Sequence, residues 1–145
     1  MYLKLTNGQP EKYSIGQLRR DNPQTSFPKL IPDELLASYD VYPYTRPAAS
    51  EYDSLAWRLI DDEFVNVNGA WMLPYKLEAL LLEDAQRNIR SRRDSLLQET
   101  DWVVIMHTEK GTNIPMEWEV YRQALRDITS QEEFPFNVTW PTPPE

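Results

Sequence analysis

Polar and apolar residues alternate most regularly between Tyr52 and Leu73. Leu55, Trp57 and Leu59, then Phe64, Val65 and Val67, then Trp71 and Leu73 recur around Asp61-Asp62 and Asn68-Gly69. A period of two places such residues on one face of a strand, so the segment predicts a three-stranded meander, with Asn68-Gly69 as the stronger of its two turns. The same pattern opens the chain. Tyr2, Leu3 and Leu5 lead into Asn7-Gly8, and Tyr13 and Ile15 follow, which predicts a β-hairpin whose second arm is kept short or on an edge by Pro10. Ser14 is placed to cap a short helical turn through Gln17-Leu18-Arg19-Arg20 that ends at Asn22-Pro23. Pro32-Asp33-Glu34-Leu35-Leu36 predicts a helix of one or two turns with acids at its positive end, and Val41-Tyr42-Pro43-Tyr44 is extended.

From Tyr75 to Gln98 the composition changes to helix formers, and this segment predicts one long helix. Tyr75, Leu82, Ile89 and Leu96 repeat every seven residues, but Glu78 and Arg92 occupy complementary positions. A single amphipathic helix fits better than a zipper, with self-association along it left open. A second helix is expected from about Pro115 to Thr129, with Trp118, Tyr121, Leu125 and Ile128 on one stripe. The connection between the helices contains Val103-Val104-Ile105-Met106, read as a strand or a buried extended segment. After it, Phe134-Pro135-Phe136 and Trp140-Pro141-Thr142-Pro143-Pro144 exclude helix and predict an extended strap. The whole reads as α+β: a small antiparallel β unit over residues 1–74, then a helical module over 75–145 whose two helices pack as a hairpin, with a proline-rich extended tail.

Composition narrows the function classes. A net charge of −8 repels nucleic-acid phosphates unless cations are concentrated on one face, so nucleic acid is not an expected partner. The chain has no cysteine, which removes disulfides, thiolate nucleophiles and cysteine-ligated metals. No apolar run approaches the ~20 residues that span a bilayer, and the first residues lack the apolar core of a signal peptide. Neither secretion nor a membrane is therefore expected.

Candidate chemistry is sparse. His107 is the sole histidine and lacks an identifiable nucleophile or co-ligand, so a structural or surface role is expected. Asp61-Asp62-Glu63 has the composition of a calcium or magnesium loop without the required spacing, and reads better as a solvated turn. None of the four glycines belongs to a phosphate-cradling motif. Arg87, Arg90, Arg92 and Arg93 read as an exposed helix face with Glu83 and Arg87 as an i, i+4 pair, or else as a surface for an acidic partner. Trp102, Trp118 and Trp140 are amphipathic anchors. Trp118 sits on a helical stripe and suits a core, while Trp140 either folds back over the helices or inserts into a partner. No catalytic residue, metal ligand or cofactor is expected. Arg87, Arg90, Trp102, Trp118 and Trp140 are the candidate partner-binding residues.

Several segments also form an ordered set: Arg92-Arg93-Asp94-Ser95-Leu96-Leu97, Thr100-Asp101-Trp102, Glu117-Trp118 through Ile128, and Val138-Thr139-Trp140-Pro141. In this order they resemble the helical module of bacteriophage tail proteins and tail-fibre assembly chaperones, over roughly Leu77 to Pro144. Tyr13 to Pro23, Ser26-Phe27-Pro28 and Val41-Tyr42-Pro43 are similar to the small leading domain often joined to that module. The resemblance implies a non-enzymatic protein-binding module in tail or fibre assembly, either a chaperone or a retained connector, with tail or tail-fibre proteins as partners. It is equally consistent with a permanent virion subunit, including a homo-oligomer, and implies residence in the virion tail or in the host cytoplasm during assembly. A small hydrolase is the remaining and weakest reading.

Overall fold

The computed structural model describes residues 1–145. In chain order the elements are β1 (Tyr2–Thr6), β2 (Gln9–Tyr13), α1 (Ile15–Asp21), α2 (Asp33–Ala37), β3 (Val41–Thr45), β4 (Trp57–Asp61), β5 (Val65–Val67), β6 (Ala70–Met72), β7 (Tyr75–Ala79), α3 (Leu82–Glu99), α4 (Asp101–Lys110) and α5 (Met116–Arg126), followed by a 3-10 turn at Asp127–Ser130. The chain forms two compact units, Met1–Ser50 with Ile60–Lys76, and Glu51–Leu59 with Leu77–Glu145. A mixed α+β architecture with an N-terminal sheet is thus the observed class.

In the first unit both Asn-Gly pairs make the turns expected of them. Asn7 and Gly8 have φ of 53° and 79°, and Asn68 and Gly69 have 51° and 85°. Two successive positive φ values match the twist of the flanking strands. Thr6 consequently faces Gln9 across one hairpin and Val67 faces Ala70 across the other. The five strands lie in the order β2-β1-β3-β6-β5, antiparallel except for β3 against β6. Pro10, which has no amide hydrogen to donate, sits in the edge strand β2 opposite Leu5.

Alternation along the strands divides the side chains between the two faces. Leu3 and Tyr44 pack with Leu73 on one face, where Phe64 meets the Tyr44 ring edge-on at 5.0 Å. On the other face Val41 packs with Leu18 of α1 and Leu36 of α2, and Tyr2 and Tyr13 join them. The Ser14 cap forms as expected: its hydroxyl accepts from the Gln17 amide at 3.1 Å, while the Gln17 side chain accepts from the Ser14 amide at 2.9 Å. This reciprocal pair satisfies amides that the first turn of a helix leaves free.

Four expectations are corrected. The meander is not formed, because β4 pairs with β7 in a separate two-stranded sheet and only β5 and β6 remain a hairpin. Asp61-Asp62 is no tight turn: Asp61 is bound by Lys12 and Arg46, and Asp62 by Lys76 at 3.2 Å. The long helix begins at Leu82 and not at Tyr75, since residues 75–79 are a strand. Their helix propensity, a few tenths of a kcal/mol per residue, is overridden by strand pairing with β4. Finally, Val103-Val104-Ile105-Met106 is helical, inside α4.

The second unit gathers its own core from Ala56, Ala85, Ile89, Val103, Tyr121, Leu125 and Ile128. Residues 51–59 join it through specific bonds. The Leu80 amide donates to Ala56 O at 2.9 Å, the Asn88 side chain donates to Leu55 O at 3.0 Å, and the Trp57 indole donates to Phe136 O at 2.8 Å.

Within the first unit, Arg46 donates to Asp61 Oδ1 at 2.5 Å and to Oδ2 at 3.2 Å, and its guanidinium lies over the Tyr75 ring. The hydrogen bonds from Arg46, and then from Lys12, hold the Asp61 carboxyl down at about 2 against an ordinary value of 3.8. A carboxylate depressed in the fold contributes stability that is complete above its ordinary value and lost as pH falls through the folded one. Urea midpoints followed from about pH 5 to about pH 2 should therefore drop more steeply for the native chain than for Asp61→Asn. Parallel profiles would show that the cluster adds nothing.

Candidate partner-binding surface

The three helices of the second unit meet at one polar junction. Helix α3 carries Glu83 and Asp84 in its first turn, where acids complement the backbone dipole, and buries Ala85 and Ile89. It stops at Thr100, whose φ of −108° and ψ of 3° leave the helical region, and α4 starts at the next residue. Gly111, in the left-handed region with φ of 62°, closes α4. Helix α5 follows Pro115, with Glu117 and Glu119 in its first turn.

Arg122, in the middle of α5, reaches that α3–α4 junction. Its Nη1 donates to Leu97 O at 2.9 Å and to Thr100 Oγ1 at 2.5 Å, while Nη2 donates to Asp101 Oδ1 at 2.8 Å. The Thr100 hydroxyl in turn donates to Leu97 O at 2.9 Å. A carbonyl in the last turn of α3, which also accepts from the Thr100 amide at 3.1 Å, thereby gains a cation, the sign that the helix C-terminus prefers. Arg122 is only 9% exposed, yet no buried side-chain polar atom in the chain lacks a hydrogen-bond partner.

This knot explains why a β-branched run is helical. Only Val103 of Val103-Val104-Ile105-Met106 is fully buried, and Ile105 is exposed. Helix α4 is set by its ends, Thr100 with Arg122 at one and Gly111 at the other. His107 closes its last turn through Nδ1, 2.8 Å from Thr112 Oγ1.

The candidate residues fall into three places. Trp102 and Trp118 come together, their ring centroids 6.3 Å apart at 70°, and Trp118 meets Tyr121 at 6.2 Å and 84°. Trp118 is half-buried, whereas Trp102 is 57% exposed. Arg87 lies on the exposed side of α3 and pairs with Asp84 at 3.0 Å, not with Glu83 as the spacing had suggested. Arg90, also on α3, stacks its guanidinium over the Phe134 ring at 5.6 Å. Trp140 is half-buried in the C-terminal segment, which has neither helix nor strand after Asn137. The arginines are thus engaged within their own unit and stand apart from the tryptophan pair.

Sequence reasoning passed over the outer side of α5. Met116 is 76% exposed and Val120 62% exposed, although the opposite side of the same helix buries Tyr121, Arg122 and Leu125. Val120 is a crest between two grooves. One, of about 530 Å³, runs between Met116, Glu117, Tyr121 and Ala124 of α5 and Pro141, Thr142 and Pro144. The other, of about 500 Å³, is lined by Ile114, Glu119, Gln123 and Arg126, with Arg122 at its base. The available signal was Met116, Val120 and Ala124 recurring every fourth residue, a second apolar row off the predicted stripe.

No cluster of three or more histidine, aspartate or glutamate side chains converges in the way that would hold a metal ion. Residues 86–145, less than half of the chain, match the family model described as phage tail assembly chaperone protein. The resemblance read in the C-terminal half is borne out, and this segment is phage tail assembly chaperone-like. Comparison with curated proteins and with solved structures yields no match. The matched segment starts within α3 and contains all five candidate residues together with the Arg122 knot.

Removing the guanidinium takes away the donor to the buried Thr100 Oγ1 and the charge-assisted bonds to Leu97 O and Asp101, and leaves a cavity at the helix junction. Arg122→Ala should lower unfolding stability by about 2–3 kcal/mol, read from urea denaturation. Asp101→Asn, at a half-exposed carboxylate, should cost under about 1 kcal/mol. Equal losses for the two variants would refute the central place given to the junction.

Proposed function

We propose that this chain is a non-enzymatic assembly chaperone for a phage tail or tail-fibre protein, and that it binds its client through the second unit. The match of residues 86–145 to the phage tail assembly chaperone model supports a role in phage tail assembly. The single observation that carries the binding role is the outer side of α5: a helix of eleven residues that is already anchored by Tyr121, Arg122 and Leu125 still presents Met116 and Val120 to solvent. Its own core does not require these side chains. An apolar row of that kind, rimmed by polar residues, marks a protein-interaction site.

A second exposed patch lies on α4, where Trp102 and Ile105 are both exposed and lie one turn apart. Aromatic anchors of this kind dominate binding energy at interfaces. The C-terminal segment from Val138 onward acts as an extended strap beside the helices. Action in the host cytoplasm during assembly follows from a chaperone role, whereas a retained connector or a decorating oligomer would remain in the virion tail.

Co-expression with the tail and fibre proteins encoded beside it, followed by pull-down from the soluble fraction, tests the reading. A tail protein that is soluble only in the presence of this chain, and absent from complex with Trp102→Ala/Val120→Asp, is the expected result. Failure to retain any tail protein would overturn it. Mass spectrometry of purified virions separates the two fates: a chaperone is absent, and a connector is present in stoichiometric amount.

A further inference from the structure

The groove of about 530 Å³ beside α5 has a chemistry that selects its occupant. Its α5 side is lined by Met116, Val120 and Ala124, one row of side chains four residues apart, with Val120 as the crest and the small Ala124 leaving depth where a larger residue would fill it. Its far wall is Pro141 and Pro144. Prolines have no amide hydrogen, and in the stretch Pro141-Thr142-Pro143-Pro144 only Thr142 has a donor to offer. A strand laid against that wall would leave most of its carbonyls unpaired, so addition of a β-strand is disfavoured. A helix satisfies its own backbone and needs only an apolar trough. Glu117 is the one charged residue lining the groove, Glu145 follows Pro144, and the chain as a whole has a net charge of −8.

We propose that this groove receives an amphipathic helix whose apolar stripe, spaced i, i+3, i+4 and i+7, is flanked by lysine or arginine. The assignment rests on the binding role proposed above and names the partner's chemistry. Apolar anchors of the incoming helix enter between Met116, Val120 and the prolines, and its cations face Glu117 and Glu145. The neighbouring groove, with Arg126 beside Glu119, has mixed charge and gives no such preference.

The test uses the full chain and two synthetic helical peptides with the same leucine stripe, one flanked by lysines and the other by glutamates, titrated by calorimetry. The lysine peptide should bind at least about tenfold more tightly than the glutamate peptide, with affinity falling as salt rises. Val120→Asp adds a negative charge, yet should weaken the lysine peptide about tenfold, because the apolar crest is lost. Glu117→Lys should weaken it about threefold or more and flatten the salt dependence. Both positions are exposed, so folding is preserved and circular dichroism verifies it. Equal affinity for the two peptides, or indifference to Val120→Asp, overturns the proposal. So does concentration-dependent dimerisation abolished by Val120→Asp, which would give the groove to a second copy of this chain. If the peptide results hold but no tail protein is retained in co-expression, the chaperone reading fails and the groove assignment stands. If a tail protein is retained equally by native chain and Val120→Asp, the client uses another surface and the assignment fails alone.

Discussion

One guanidinium organises the helical unit. Arg122 satisfies the last turn of α3, the side chain of the residue that joins α3 to α4, and the first acid of α4, all from the middle of α5. A lysine has one nitrogen and could not span these three acceptors; the fork of an arginine can. Ordinarily a buried cation is a liability, because desolvation cancels much of what its partners return. Here its acceptors are a helix-terminal carbonyl, a buried hydroxyl and a half-exposed carboxylate, so its donors are matched and its charge is balanced by Asp101 at the edge of the solvent.

The position of Arg122 on α5 decides where the other residues of that helix go. At 3.6 residues per turn, an inward 122 places 118, 121 and 125 toward the core and 116, 120 and 123 away from it. Trp118 is thereby brought to Trp102 of α4, and Met116 and Val120 are left to solvent. The binding surface and the structural knot are two sides of one helix. A change that rotates α5 would lose both together, which is why the exposed side is best probed by substitutions that leave Arg122 in place.

What could be read from the chain depended on the range of the interaction. Asn7-Gly8, Asn68-Gly69 and the Ser14 cap act within three or four residues, and they formed as their chemistry dictates. The second helix, with its apolar stripe, was also readable, apart from its last turn, which tightens to 3-10 geometry. Tyr75–Ala79 and Val103–Met106 depart from their local patterns because their states are set from elsewhere, by β4 in one case and by the ends of α4 in the other. In the candidate surface, Trp102 and Trp118 are each legible as anchors, but their meeting depends on the turn at Thr100. Arg122 reads as an ordinary cation late in a helix. The overlooked sign was its place four residues after Trp118 and three before Leu125, on the apolar stripe itself, where an arginine has to be paired.

The arginines of α3 illustrate the converse. A run containing Arg87, Arg90, Arg92 and Arg93 suggests a site for anions, yet Arg87 and Arg93 face Asp84 and Asp94, and Arg90 covers Phe134. Its stacking helps to seat the chain where Pro135 is buried and Phe136 accepts from Trp57. Just beyond, the Gln131 side chain donates to Thr139 O at 2.9 Å and accepts from the Thr139 amide at 2.7 Å, imitating a backbone pair. The segment that reaches Pro141 is therefore tethered two residues before the groove wall begins, and the prolines that follow have little backbone freedom left to lose. Ordering a loop on binding costs affinity; a wall already in place does not incur that cost. The groove beside α5 is preorganised by the same kind of side-chain-to-backbone bond that Arg122 makes on the helix's other side.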